Sequence, residues 1–250
     1  MAGRSYKTEA VVLRSIRLGE ADRVLHLYTS ERGRIGAVAK GIRKTKSRFG
    51  GRLEPLSHVE ALLHQGSGEL QTITGAELVH SHRAAREDYH RLAIGLIGAE
   101  AMLRLFSEEE ANPRAFLALT RFLDALDETG ARPVGRPELD PLALSFQLKL
   151  LWLAGYLPHL TSCAECGTED APLIGYSPRT GGAVCRGCAA ATQAFGLGAD
   201  AVAAIEALLR RPLAEAGDTG LTERTARDAL RVVTASYEYH GGFRLRTLSA

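Results

Sequence analysis

Short runs that alternate apolar with polar residues dominate the first eighty positions of the chain. Turns containing glycine separate several of these runs, and a long polar connection follows the third. Five short strands with a long third connection favour a five-stranded OB-like barrel, although an SH3-like barrel has a similar pattern. The predicted strands lie at 9–16, 23–28, 34–40, 56–64 and 70–78.

Beyond residue 80 the apolar residues recur at helical spacing instead. Two helix starts are well marked, because Asn112-Pro113 and Asp140-Pro141 each place an N-cap side chain before a proline at the first helical position. The second of these helices is predicted to end near residue 152. Further helices are predicted at 201–209 and 222–239.

Strands that come first and helices that follow indicate an α+β chain with segregated elements. We expect an OB-fold domain at 1–80 and a helical domain at 81–250. Residues 130–137 contain two glycines and two prolines, and this composition predicts a linker within the helical part.

The four cysteines form two Cys-x2-Cys pairs separated by eighteen residues: Cys163, Cys166, Cys185 and Cys188. Two intervening residues let both sulfurs of a pair face one ion from a tight turn, and the connection can fold back as a hairpin. The spacing therefore predicts one Zn²⁺ ion in an insertion at about 157–190. Four protein ligands leave no open position, so this zinc is expected to be structural.

Other uses of the cysteines fit less well. Disulfides are disfavoured in a reducing compartment. A thioredoxin-like redox pair needs a βαβ setting that neither pair has. An iron–sulfur cluster with four thiolates stays a weaker alternative. A zinc deaminase is excluded, because His58-Val59-Glu60 matches half of its motif but proline precedes neither cysteine pair.

The composition is that of an ordinary globular protein, with 45% hydrophobic and 24% charged residues. No apolar stretch is long enough to span a membrane. The first eight residues lack the apolar segment of a secretory signal. We therefore expect a cytoplasmic protein without a membrane partner.

The net charge of +2 is distributed unevenly. Residues 1–80 carry an excess of five basic residues, and 81–250 carry an excess of three acidic ones. Residues 32–52 hold eight basic residues and no acidic one. Although most charge runs are solvated loops, this contrast favours contact with nucleic acid or another polyanion. No zinc-finger helix or helix-turn-helix accompanies the run, so sequence-specific base reading is not expected.

The basic run supplies specific candidates for DNA contact. Glycines let the backbone approach a phosphate, cations bind it, and an aromatic ring can stack on a base. The preferred phosphate contacts are Lys40, Arg43, Lys44, Lys46, Arg48 and Arg52, with Arg34 for phosphate and Phe49 for stacking as second choices.

No catalytic set is found. The chain has no Walker A pattern, no complete dinucleotide fingerprint and no G-x-S-x-G serine. No cluster of carboxylates for magnesium is evident, which disfavours a nuclease. We therefore expect a protein that is not an enzyme.

Several segments resemble the RecO family of bacterial DNA repair and recombination mediators. The amino-terminal segments are the more specific ones, and the similarity extends over most of the chain. The cysteine pairs also match. The matching segments lie at 6–13, 19–24, 29–34, 39–44, 145–151 and 155–158.

This resemblance implies an N-terminal OB domain followed by a helical domain with a zinc-binding insertion. It also implies binding of single- and double-stranded DNA, annealing of complementary strands, and help in loading RecA recombinase onto gaps coated with single-strand binding protein. The implied partners are RecR, sometimes RecF, and the acidic tail of that binding protein, which would associate the chain with the nucleoid. The alternative is a zinc-stabilised adaptor whose basic loop docks an acidic protein and not DNA.

Overall fold

The computed structural model of the protein describes residues 4–128 and 135–248. The chain divides into two compact units, a barrel unit at 1–128 and a helical unit at 129–250, and each is described by itself. The barrel unit thus includes helical segments that the sequence assigns to a second domain beginning at 81. They belong with the barrel because their side chains pack on it; the Phe106 ring, for example, meets Tyr28 edge-on at 5.7 Å. The predicted linker at 130–137 lies outside the described residues as far as position 134.

The five predicted strands are all present, and the first is longer than expected. Glu9–Ile16 is only the central part of a fifteen-residue strand. The strands are β1 (Arg4–Leu18), β2 (Asp22–Thr29), β3 (Gly33–Ala39), β4 (His58–Gln65) and β5 (Gln71–His80).

The length of β1 lets the sheet close on itself. Its first half pairs with β4 and its second half with β2, and the register with β2 shifts between Val12 and Arg14. On the far side, β3 pairs with β5 in parallel. The result is a closed barrel in the order β1-β2-β3-β5-β4, which confirms the OB-like fold.

The interior of the barrel is filled by small and branched side chains from alternate strand positions. These include Leu25, Leu27 and Ile35, all of which are buried. The connection between β3 and β4 adds two more buried side chains, Phe49 and Leu53, to this core. The basic connection is therefore anchored in the barrel and is not a free loop.

Three helices complete the barrel unit: α1 (Arg83–Glu87), α2 (Tyr89–Leu105) and α3 (Pro113–Glu128). The predicted start of α3 is confirmed, because the Asn112 side chain accepts a hydrogen bond of 3.0 Å from the Ala115 amide. In α3 the buried residues include Phe116, Leu119 and Leu123, which the sequence places on one face.

The helical unit is built around a buried helix, α4 (Pro141–Leu153), whose N-cap Asp140 accepts from the Leu142 amide. The predicted helix at 222–239 is α-helical only to Ser236. It continues as a π-helical turn and stops at Gly242, where φ is +67°. Within this unit the Tyr237 hydroxyl donates to Gln147 Oε1 at 2.5 Å.

The other strands and α-helices of the unit are β6 (Leu173–Ser177), β7 (Gly182–Cys185), α5 (Arg186–Ala189), β8 (Phe195–Gly196), α6 (Ala199–Arg210) and α7 (Glu223–Ser236). The cysteine-containing insertion follows α4 in the chain and forms a small sheet in the order β7-β6-β8. The expected hairpin is present as β6 and β7. Within 4–128 and 135–248, no helix combines the length and apolar character needed to cross a membrane.

Candidate metal centre and nucleic-acid interface

The structure brings all four cysteine sulfurs together. The Sγ atoms of Cys163, Cys166, Cys185 and Cys188 lie within 4.8 Å of one another, and those of Cys166 and Cys185 are 3.9 Å apart. In a tetrahedral zinc site with Zn–S bonds of about 2.3 Å, sulfurs are separated by about 3.8 Å. All four residues are free thiols. The cluster therefore has the composition and approximate dimensions of a four-thiolate metal site.

Each pair sits on a tight backbone turn. In the first, the Gly167 amide donates to the Cys163 carbonyl at 2.8 Å, and Gly167 adopts a φ of +74° that an L side chain would strain. In the second, Cys185 ends β7 and Cys188 lies one turn later in the short helix α5. The hairpin β6–β7 brings the two turns together.

The surroundings of Cys163 favour its thiolate. Burial raises the pKa of this thiol, but hydrogen bonds from backbone amides outweigh burial and lower the pKa to about 6. One of these amides is that of Cys185, 3.4 Å from Cys163 Sγ. By contrast, hydrogen bonding to Cys166 and burial raise the pKa of Cys188 to about 12. Four sulfurs this close need a cation before all can be thiolates.

The second candidate region is the basic loop, defined as residues 40–57 between β3 and β4. Its backbone is held by its own hydrogen bonds and by the turn between β1 and β2. The Gly41 amide donates to Asp22 Oδ1 at 2.6 Å, and the Arg43 amide donates to the Ala21 carbonyl at 2.9 Å. The loop therefore presents its side chains from a defined backbone.

Five of the predicted phosphate contacts are exposed on this loop: Lys40, Arg43, Lys44, Lys46 and Arg48. Within the described part of the chain, none of the five forms an ion pair with an acidic side chain. Arg43 Nη1 instead donates to the Glu20 carbonyl at 2.8 Å, and the Arg48 guanidinium lies 4.9 Å from the Phe49 ring centre. Their charges are thus not neutralised by neighbouring carboxylates.

Phe49 requires a correction. The sequence presents it as a ring on which a base could stack, yet only 1% of the residue is exposed and it packs in the barrel core. The reason is that Phe49 and Leu53 are the only large apolar side chains in the stretch 43–53, and the loop uses both to fill the barrel. The ring is not available to a base in this structure.

Two predicted arginines also have internal roles. Arg34 lies on β3 and reaches the end of α2, where Nη1 donates to the Leu103 carbonyl at 2.8 Å and Nη2 pairs with Glu108 at 3.1 Å. Arg52 Nε donates to the Phe49 carbonyl at 2.8 Å, so it holds the loop in its turn. Both side chains are only partly exposed, whereas the other five are exposed.

The pairing of the strands adds further basic residues to the positive surface. The sequence alone does not show on which face of a strand these residues lie. Arg17 on β1 is paired with Arg23 on β2, and Arg23 with Ala39, immediately before Lys40. Arg17 is exposed, whereas Arg23 donates to Ser15 at 3.0 Å. Arg17 thus lies on the same edge of the barrel as the start of the basic loop. This proximity follows from the strand pairing and cannot be read from the sequence.

Comparison with known proteins covers nearly the whole chain. Residues 1–82 match the family model described as Recombination protein O N terminal, and residues 86–249 match the model described as Recombination protein O C terminal. The junction between the two matched regions lies close to residue 80.

The following curated relatives share one name. The chain is 40% identical to the DNA repair protein RecO of Rubrobacter xylanophilus over 232 residues, which is 90% of this chain and 89% of the relative. It is 39% identical to the protein of that name from a Nocardioides species over 243 residues, with 94% of each chain covered. A relative from an Anaeromyxobacter species is 35% identical, again over 243 residues, covering 96% of this chain and 92% of the relative.

Proposed function

The chain belongs to the RecO family of DNA repair proteins, and we propose that within DNA repair it acts as a recombination mediator that binds single- and double-stranded DNA through its basic loop. The observation that carries the proposal is the group of five exposed cations without carboxylate partners, presented by a loop anchored in an OB-like barrel. OB-like barrels bind single strands along a groove that such loops border.

Electrostatics supplies the affinity in this proposal. Each cation that neutralises a phosphate releases condensed counterions into solution, and their entropy favours binding. Contacts to phosphate do not depend on base sequence, which suits a protein that must act at any gap. The preferred contacts are the exposed cations Lys40, Arg43, Lys44, Lys46 and Arg48, with Arg17 as an added neighbour; Arg52 serves the loop's turn.

Annealing follows from the same surface. Two complementary strands repel one another through their phosphates, and a cationic surface that holds both lowers this repulsion. Because the contacts leave the base edges free, bases can sample partners until pairing takes over. No bond in the DNA is made or broken, so this function needs no catalytic residues.

The family also suggests partners. In this proposal the chain cooperates with RecR, and sometimes RecF, and helps to load RecA onto gaps coated with single-strand binding protein, whose acidic tail it contacts. We propose that the chain acts in the cytoplasm, on the nucleoid. In the adaptor alternative the basic loop docks an acidic protein instead of DNA. This alternative has the same electrostatic basis, and a test of whether the isolated chain binds DNA distinguishes the two.

The four-cysteine cluster is proposed to hold one structural Zn²⁺ ion. The close sulfurs and the amides directed at Cys163 support it. With all four positions supplied by the protein, the ion would fix the insertion between α4 and α6 without activating water.

The decisive experiment changes Lys44, Lys46 and Arg48 together to Glu. We expect weaker binding of a labelled single strand. The slope of log affinity against log salt should flatten by about 0.7 for each phosphate that the variant no longer binds. The control changes three exposed arginines that are not part of the loop, Arg114, Arg121 and Arg210, to Glu, because it alters the net charge equally. If affinity and slope are the same for both triple variants, the basic loop is not the DNA contact surface.

A further inference from the structure

A second group of possible metal ligands lies in the barrel unit, away from the cysteines. His80 is the last residue of β5, His82 precedes α1, and Asp124 lies on α3. One ligand atom from each residue falls within 4.8 Å of the other two. His82 is fully buried and takes a left-handed backbone conformation with φ of 44°. Such a conformation is costly for a residue with a side chain and indicates that the surroundings fix His82 in place.

The tautomer of His82 follows from its contacts. Nδ1 lies 2.8 Å from the Leu56 carbonyl oxygen, which can only accept, so Nδ1 carries the hydrogen. In the neutral ring Nε2 then has a lone pair, and it faces Asp124 Oδ1 at 3.0 Å. A histidine that donates one nitrogen to a backbone carbonyl and presents the other as a lone pair has the arrangement typical of a metal ligand.

His80 is placed between two carboxylates. Its Nδ1 lies 3.3 Å from Asp124 Oδ1 and its Nε2 lies 3.3 Å from Asp127 Oδ2. A neutral imidazole has one N–H, so it can donate to only one of them. If both rings are neutral, the three nitrogen–oxygen contacts made by His80 and by His82 Nε2 share a single hydrogen. A doubly charged cation between His80 Nδ1, His82 Nε2 and Asp124 Oδ1 would then take the place that a proton takes in a histidine–carboxylate pair.

The nitrogen–oxygen distances suit such a cation. The His80 and His82 rings stack at 4.2 Å with 19° between their planes, so the partly exposed His80 ring must turn for both nitrogens to face one ion. With metal–ligand bonds of about 2.0–2.1 Å, as zinc forms with imidazole and carboxylate, neighbouring ligand atoms in a tetrahedron are about 3.3 Å apart. The distances from Asp124 Oδ1 to the two histidine nitrogens are 3.3 and 3.0 Å. The His80 and Asp124 side chains are 39% and 44% exposed, so an ion can reach the site from solvent.

We propose that His80, His82 and Asp124 form a second metal site, for a divalent transition-metal ion such as Zn²⁺, which joins the end of β5 to α3. The ligand set of two imidazoles and one carboxylate differs from the four thiolates of the helical unit. The Asp127 carboxylate, which also accepts from the Ala85 amide at 2.8 Å, holds the other side of the His80 ring. A bound ion would tie the strand, the helix and the buried histidine together.

The test is a cobalt titration of the full chain after metal removal. Co²⁺ bound by thiolates gives intense charge-transfer absorption, whereas Co²⁺ bound by nitrogen and oxygen gives only weak visible bands. Wild-type protein should bind two equivalents, and the second should add no thiolate absorption. Asp124→Asn and His80→Gln should each lower the affinity for the second Co²⁺ ion by about 10-fold or more. This is at least the effect of losing a residue that only positions a metal ligand.

Two controls separate the sites. His64→Gln changes another partly exposed barrel histidine outside the cluster and should leave both equivalents intact. Cys163→Ser should reduce the thiolate absorption while the nitrogen–oxygen equivalent stays. If wild-type protein binds only the thiolate-type equivalent, or if Asp124→Asn and His80→Gln still bind two, the cluster is a hydrogen-bond network held by protons and the proposal is wrong. Absence of the thiolate signal from the wild-type protein would instead count against the cysteine site.

Discussion

Replacing Phe49 distinguishes the two roles that an aromatic residue in a basic loop can have. If the ring fills the barrel, its loss costs stability. Truncation of a buried Phe to Ala costs about 3–5 kcal/mol, whereas a hydrophobic replacement of similar volume costs less than about 1.5 kcal/mol. If the ring stacks on a base, its loss instead costs about 1–3 kcal/mol of binding free energy. Because Phe49 is only 1% exposed, we expect the first pattern.

The informative variant is Phe49→Leu, which should still fold. Urea unfolding followed by circular dichroism should show a lower free energy of unfolding by about 1 kcal/mol. Fluorescence anisotropy with a labelled single strand should show an affinity close to that of the wild type. Lys46→Gln is the matched control, because this exposed side chain should change the affinity and leave the unfolding free energy within about 0.5 kcal/mol.

The opposite pattern would refute the barrel-filling role. A Phe49→Leu protein with unchanged unfolding and an affinity lowered about tenfold, equivalent to about 1.4 kcal/mol, would mean that the ring leaves the barrel to meet a base. Phe49→Ala serves as a second point in the series. Its unfolding free energy should fall further than that of the Leu variant, since it leaves a larger cavity.

Three further predictions test neighbouring features. Cys163→Ser should lower bound zinc and melting temperature together, measured by elemental analysis and calorimetry; unchanged values for both would exclude a structural metal there. Arg34→Gln removes the contacts to Glu108 and to the α2 carbonyl, so it should destabilise the protein by about 1–2 kcal/mol and leave the salt slope of DNA binding intact. Burial, followed by Arg14 and Arg34, lowers the pKa of His26. The unfolded state therefore binds a proton more readily, and His26 contributes stability above about pH 6.5 that is lost as the pH falls. His26→Gln should accordingly lose less stability than the wild type between pH 7 and pH 5 in urea titrations, and equal losses would exclude this role.

Much of the fold follows from local patterns. The strand alternation at 23–28 and the N-cap pairs at 112–113 and 140–141 report local physics, because strand facing and helix capping involve residues only a few positions apart. The cysteine spacing is equally informative, since a site for one ion would restrict four side chains at once. Each of these features is found in the structure where the sequence predicts it.

The features that sequence misses depend on contacts between distant residues. Phe49 lies in a stretch without periodicity, so nothing local indicates that it turns into the barrel. The pairing of Tyr237 with Gln147 joins residues ninety positions apart. The two histidines of the barrel unit stand two residues apart on the chain, but Asp124 meets His82 from forty-two positions away. Only the packing of α3 on the barrel brings the carboxylate there.

If the basic loop binds DNA as proposed, its buried and its exposed residues serve this one purpose together. Ordering a backbone costs about 1–2 kcal/mol per residue, so a free cationic loop would lose much of its electrostatic gain when it settled on a strand of DNA. Phe49 and the Arg52 hydrogen bonds to the Phe49 and Arg48 carbonyls fix the loop before any ligand arrives. The exposed cations then meet phosphates from a prepared backbone, with only their side chains left to order. A change that releases Phe49 from the barrel without unfolding the protein should therefore weaken DNA binding even though the ring touches no nucleotide. For this reason the conservative Leu variant, which keeps the loop anchored, is the one that separates anchoring from stacking.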